Sequence, residues 1–154
     1  MAQGEKLIAQ NRRARHDFHV LDRFEAGIAL QGTEVKSLRD GKVNFKDSHA
    51  ELSGGELFLK GLHIAPYEQG NIHNHEPERP RRLLMHKDEI IRLGIKTAEK
   101  GLALVPLRLY FKNGKAKVEL GLCRGKQKGD KRETLRQRVA ERETDRYLKD
   151  RKYD

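Results

Sequence analysis

Cations, aromatic rings and isolated carboxylates are the groups in this chain that could do chemistry, and they crowd the segment from Leu107 to Arg132. Arg108, Tyr110, Lys112, Lys115, Lys117 and Glu119 alternate there with Leu107, Leu109, Phe111, Ala116, Val118 and Leu120. Cations hold phosphate and a tyrosine ring stacks on a base, so an apolar inner face behind a cationic outer face suits contact with nucleic acid. A solvated cross-strand pair of Tyr110 and Lys117 is the plainer alternative. A second cationic group, Asn11-Arg12-Arg13-Ala14-Arg15-His16, lies near the N-terminus. Glu25 alone reads as a surface charge. Against RNA, a carboxylate accepts hydrogen bonds from base amino groups or ribose hydroxyls, or orients a neighbouring arginine.

Other chemistries find little support. Seven histidines are present, and His73 and His75 form a His-x-His pair, but Cys123 is isolated and no acidic cluster completes a shell, so neither a metal nor another cofactor is expected. Glu34, Asp47 and Glu51 fall on separate elements, and no Ser-His-Asp or paired-carboxylate signature stands out, so no enzyme is expected. The glycine-rich segments lack the phosphate-loop pattern and fit turns. Two other classes stay open on these residues: a metal-dependent RNA-processing nuclease, which would cut labelled RNA in Mg²⁺, and a structural ribosomal protein, which would stay on all ribosomes.

The elements that must position these groups begin with the last hairpin. Asn113-Gly114 suits a two-residue type I′ turn, whose two positions need positive φ, and such a turn sets register. Lys112 then faces Lys115, Phe111 faces Ala116, Tyr110 faces Lys117, Leu109 faces Val118, Arg108 faces Glu119 and Leu107 faces Leu120. Residues 1–10 read as a loose arm. From Phe18 the even positions are apolar to Leu30 except Asp22, which predicts a long half-buried strand bent near Asp22 or Gly27. A short helix starts at Gly32-Thr33, with Thr33 as N-cap and Gly41 as its stop. Ser48 to Leu52 and Glu56 to Ile64 read as strands around Gly54-Gly55. Residues 65–81 form a long loop, Leu83 to Met85 a short strand, and Lys87 to Lys100 a helix through Ile90, Ile91, Ile95 and Ala98, interrupted at Gly94. The fold expected is mostly β: an oligonucleotide-binding-like (OB-fold-like) antiparallel barrel with flanking short helices. Beyond Lys126 apolar residues are too few to offset backbone entropy, so the tail is expected to be disordered when free and helical on a partner.

Bulk properties agree. The 154 residues carry a net charge of +10, with 36% charged and 36% hydrophobic, which makes an anionic partner the default and leaves part of the chain outside any core. That charge alone is shared by ribosomal and nucleoid proteins. The single cysteine excludes an intrachain disulfide and fits a reducing compartment. Leu102-Ala103-Leu104-Val105 is far short of a membrane span, and Met1 to Arg15 lacks the apolar stretch of a signal peptide, so no membrane association and a cytoplasmic location are expected. The organisation expected is a basic arm over 1–14, a barrel over 15–125 and a basic tail over 126–154.

Several stretches, in order, resemble small protein B, the SsrA-binding protein family of bacteria. They are Asn11-Arg12-Arg13-Ala14-Arg15-His16, Phe24-Glu25-Ala26-Gly27, Gly32-Thr33-Glu34-Val35-Lys36-Ser37-Leu38-Arg39, Leu62-His63-Ile64-Ala65-Pro66-Tyr67 and Arg81-Arg82-Leu83-Leu84-Met85-His86-Lys87, then Tyr110-Phe111-Lys112-Asn113-Gly114, Gly125-Lys126 and Asp130-Lys131-Arg132. The resemblance implies a non-enzymatic adaptor that binds the tRNA-like domain of transfer-messenger RNA and escorts it to the empty A site of stalled ribosomes. The partners implied are that RNA and the small ribosomal subunit with its 16S rRNA, and a monomer is expected. RNA contact in the family maps onto Asn11, Glu25, Leu84, His86 and Lys117. Arg13, Arg15, His16, Tyr110, Arg124 and Lys126 complete the expected RNA-binding set. Asp130, Lys131 and Arg132 match the triplet that the family's tail places near the decoding centre in the message channel. Gly129 stands where the family often carries His or Tyr, which leaves no ring to stack at that point.

Overall fold

The computed structural model describes residues 4–69, 74–99 and 101–126, together with Arg136, Arg138, Val139 and Arg142. In chain order the elements are β1 (Glu5–Gln10), α1 (Arg12–Asp17), β2 (Phe18–Ile28), α2 (Gly32–Arg39), β3 (Val43–Asn44), β4 (His49–Ser53), β5 (Glu56–Lys60), β6 (His63–Ile64), β7 (Arg81–Leu84), α3 (Lys87–Thr97), β8 (Leu102–Lys112) and β9 (Lys115–Gly125). The main sheet runs β1-β8-β4-β5-β7-β2-β9, and β8 also pairs with β9, which closes the antiparallel barrel through β8, β4, β5, β7, β2 and β9. Closure gives each of the six barrel strands a neighbour on both sides and leaves β1 as an edge strand beside β8. Inside it pack Leu57, Leu59, Leu83, Leu104, Leu109, Val118 and Leu120, with Leu93 of α3 joining them.

The last hairpin follows from its turn. Asn113 and Gly114 both sit at positive φ, 52° and 79°. Arg108 pairs with Glu119, Leu109 with Val118, Tyr110 with Lys117, Phe111 with Ala116 and Lys112 with Lys115, as the turn requires. One step further in, the register shifts between Pro106 and Arg108, so Leu120 pairs with Pro106 rather than with Leu107. Leu107 is the extra residue, and a bulge turns its side chain to the other face of the sheet. There it joins Ala14, Val105 and Cys123 in a second apolar cluster beneath α1, with Phe18 and Val20 alongside. The β2 strand shifts register against β9 between Val20 and Asp22, the bend its pattern foretold.

Other expectations need correction. Residues 5–10 are not a loose arm: β1 pairs antiparallel with β8 from Glu5↔Lys112 to Gln10↔Arg108. Helix α2 is capped by Gln31, whose backbone amide donates to Glu34 Oε1 at 2.8 Å, and not by Thr33, whose hydroxyl lies 2.9 Å from His75 Nδ1. The second hairpin strand ends at Lys60, and His63–Ile64 instead pairs with Val43–Asn44 in a separate ribbon. In α3 the buried residue is Leu93, while Ile91 and Ile95 are exposed. Gly94 sits inside that helix because a Cβ there would lie 2.7 Å from Leu52 Cδ2. The tail reading rests mostly on residues outside the described ones; Arg136, Arg138, Val139 and Arg142 have helical backbone.

Candidate nucleic-acid interface

The basic cluster near the N-terminus is a helix, and Asn11 makes it one. Its side chain accepts from the Ala14 backbone amide at 3.2 Å and donates to Pro106 O at 2.8 Å, while its backbone amide donates to Leu107 O. Asn11 is 7% exposed. In the free protein Asn11 thus caps α1 and pins the helix to β8. Ala14 is buried beneath the helix, which leaves Arg12, Arg13 and Arg15 on the outside and His16 half-buried. Arg13 lies 3.4 Å from Asp17 and 3.5 Å from Asp47, and His16 Nδ1 lies 3.0 Å from Asp17 Oδ1. Lys126 donates to Arg15 O at 2.9 Å and its amide bonds to Asp17 O, so the end of β9 is tied to α1. Arg124, exposed, pairs with His19 of β2 and Leu102 of β8.

The outer face of β2, β8 and β9 carries a charged lattice. Glu25 on β2 pairs with Glu119 on β9, which pairs with Arg108 on β8. Arg108 lies 3.0 Å from Glu119 and 3.5 Å from Glu5 on β1, and Arg23 reaches Glu119 at 3.2 Å. Tyr110 reaches diagonally past β9 and donates its hydroxyl to Glu25 Oε2, while Lys112 Nζ lies 3.4 Å from the same oxygen. The Tyr110 bond is the main cause holding the Glu25 carboxyl below the usual range; partial burial opposes it, and Lys112 and Lys117 reinforce it. Burial, then the bond to Glu25, pushes the Tyr110 phenol strongly up. The Arg108 guanidinium covers the Tyr110 ring at 4.2 Å, and the residue is 1% exposed. A tyrosine ring free to stack on a base, expected at this position, is thus not what the fold offers. Lys117, half-buried, stands between Tyr110 and Gly27 in the register.

Leu84 continues the row of Tyr110, Lys117 and Gly27, where β7 pairs with the end of β2 through Gly27↔Leu84, and His86 follows it. Leu84 is 48% exposed although its neighbour Leu83 is wholly buried. Strand alternation turns Leu84 outward, and it borders a groove with Gly54, Arg82, Met85 and Lys87. His86 is exposed and precedes α3. Asp130, Lys131, Arg132 and His73 lie outside the described residues. Sequence reading placed Arg108 on the outer face opposite Glu119, as observed, but missed Glu5, which it assigned to a loose arm.

Another charged motif turns inward. Glu34 is fully buried and accepts from the Gln31 amide, from Arg79 and, at 2.6 Å, from Arg81 Nε. Arg81, also fully buried, donates to Leu62 O and Pro77 O. Burial raises the Glu34 pKa, but the Arg79 bonds, the Gln31 amide and Arg81 together carry it below the ordinary value. His75 is buried too, with Nε2 2.8 Å from Ile64 O, so it braces the loop. Among the described residues no group of three His, Cys, Asp or Glu could hold a metal. Burial pushes the Cys123 thiol up to about 11, and it packs as an apolar group.

This chain resembles proteins already described. A family model described as "SmpB protein" matches residues 8–150. The SsrA-binding protein of Desulforudis audaxviator is 62% identical over 139 residues, covering 90% of this chain and 91% of that one. That of Clostridium perfringens is 56% identical over 146 residues, covering 95% and 94%. Among solved structures, a chain described by the words "tmRNA-SmpB: a journey to the center of the bacterial ribosome" superposes with a TM-score of 0.68 at 55% identity, over 83% of this chain and 94% of that one. With a capped basic helix, a closed barrel and a charged outer face lying inside a match that spans nearly the whole chain, this protein belongs to the SmpB family.

Proposed function

We infer that this protein is an RNA-binding adaptor that binds transfer-messenger RNA and delivers it to stalled ribosomes for trans-translation. The observation that carries this is the family match over residues 8–150, with relatives named SsrA-binding protein and a solved neighbour described with tmRNA and the bacterial ribosome. It is not an enzyme on this reading: recognition and delivery need no bond broken by the protein. On this reading it works in the cytoplasm, alongside the ribosome. No helix among the described residues is long and apolar enough to cross a membrane.

The proposed division of labour follows the geometry. Arg13, Arg15 and His16 on α1, Lys117 on the barrel face, and Arg124 and Lys126 at the end of β9 supply cations for phosphate. Glu25 supplies an acceptor for a base amino group or ribose hydroxyl. Leu84, with His86 beside it, packs on an unstacked base or ribose. Tyr110 and Asn11 act from beneath, one on Glu25 and the other on α1. In the tail, Asp130, Lys131 and Arg132 reach the decoding centre and the segment beyond them probes the empty message channel.

Purifying the protein from bacterial lysate and sequencing its RNA tests the reading as a whole. Transfer-messenger RNA should dominate; ribosomal RNA alone would favour a structural ribosomal protein. Incubation with labelled RNA and Mg²⁺ should leave that RNA intact, whereas cleavage would favour a nuclease. Deleting residues 130–154 should leave most RNA affinity and abolish tagging of stalled nascent chains; normal tagging would remove the channel-probing role.

A further inference from the structure

The Glu25 carboxylate is half-committed. Tyr110 and Lys112 both donate to Oε2, and among the described residues no bond is made to Oε1. The side chain is 40% exposed, and Oε1 is the oxygen left without a donor from the described residues. A free glutamate on a strand samples several rotamers, and ordering it on binding costs entropy. Here that cost is met in the free protein. Tyr110 is itself packed in place: it is 1% exposed, Arg108 covers its ring, Arg108 is held by Glu119 and Glu5, and Leu7 of β1 stands opposite Tyr110 in the register.

We propose that Tyr110 is a positioning residue for RNA recognition, aiming Glu25 Oε1 outward as a preformed hydrogen-bond acceptor between the cations Lys112 and Lys117. This rests on the reading of the barrel face as the RNA-binding surface. The consequence is selectivity. Lys112 and Lys117 attract any phosphate backbone, but a fixed anion between them repels phosphate and rewards a hydroxyl or amino donor at one spot. The strand β1 is part of the device, because it carries Glu5 and Leu7 to the far side of β8.

Binding of the tRNA-like half of transfer-messenger RNA, transcribed in vitro, to Y110F, E25Q, E25D and the Y110F/E25Q double variant tests the idea. Y110F should weaken binding by about five- to tenfold, and adding it to E25Q should change affinity by less than about twofold, because its effect passes through Glu25. E25D keeps the charge but withdraws it from the Tyr110 hydroxyl, and should bind about as weakly as E25Q. In the free protein, ¹³C NMR of the carboxylates should find the Glu25 midpoint moved up in Y110F, since the largest cause of its lowering is gone while Lys112 and Lys117 remain and Glu119 stays paired with Arg108 and Arg23. Wild-type affinity in Y110F or E25D, with E25Q impaired, would overturn the positioning role and leave the interface standing. Multiplying effects in the double variant would overturn it too. Wild-type affinity in E25Q would remove Glu25 from the interface, and the positioning role with it.

Discussion

Glu34 and Glu25 are both carboxylates held below their ordinary titration range, and both lie in stretches that resemble one family, yet they end in opposite places. Glu34 is enclosed: two arginines and a backbone amide donate to its two oxygens, and no part of it meets solvent. Glu25 has donors on one oxygen only and keeps its other face open. The first is a brace joining α2, β7 and the loop ahead of β7. The second, as proposed above, is an acceptor left for RNA. What distinguishes them is the supply of donors: a charge with every lone pair engaged and no solvent access has nothing left to offer a ligand.

The strongest way to break this comparison is Glu34→Ala. It should cost about 3–5 kcal/mol of stability in urea titration, because Arg81 stays buried without its counter-charge. Any RNA affinity lost should track the unfolded fraction. The folded pKa of Glu34 lies below its ordinary 4.5, so its contribution is full above that value and lost as pH falls through the folded one. The acid limb of the stability profile should therefore flatten in the variant. A fully stable Glu34→Ala protein would make the brace dispensable.

Leu84→Asp should do the reverse. Its exposure predicts a folded protein with normal thermal unfolding and severe loss of RNA binding in a gel-shift titration; unfolding would show that Leu84 serves the core. A smaller and more specific effect is expected from Lys117→Ala. Its affinity should fall modestly, and the slope of log K against log salt should shrink by about 0.7–0.9, one phosphate contact. An unchanged slope would take Lys117 off the interface. The smallest effect belongs to Glu51, which lies 2.6 Å from Lys60 with both side chains exposed. Glu51→Ala should leave both the urea midpoint and RNA affinity unmoved, since exposed ion pairs contribute little; a clear loss would mean that short contact alone identifies a structural charge.

Much of this molecule is written in local chemistry. Asn113-Gly114 selects a turn, the turn selects a register, and the register places Tyr110 against Lys117 and Arg108 against Glu119 with no help from the rest of the chain. The alternation in β2, the break near Asp22 and the stop at Gly41 are equally local, because each depends on a backbone preference or a period of two. The residues assigned to RNA came from charge and alternation in the last hairpin and from family likeness, and the fold sorts them: Lys117, Leu84, His86, Arg13 and Arg15 keep outward positions, while Asn11 and Tyr110 go beneath the surface.

That sorting could not be read from the chain alone. Asn11 is buried because α1 lies across Pro106 and Leu107, some 95 residues away in sequence. Tyr110 is buried because β1 flanks β8 and Arg108 folds over its ring. Leu107 leaves the inner face because the barrel closes with a bulge, which changes the facing of every residue behind it. Glu34 meets Arg79 and Arg81 only because α2 and β7 pack together. By itself the sequence determined β2, the two hairpins with their turns and the excess of cations, all products of neighbouring residues, while β1 and the β3–β6 ribbon depend on partners distant in the chain. Only the tertiary structure decided which charges are satisfied inside and which remain open to RNA, because donor supply and solvent access depend on groups far apart in the chain.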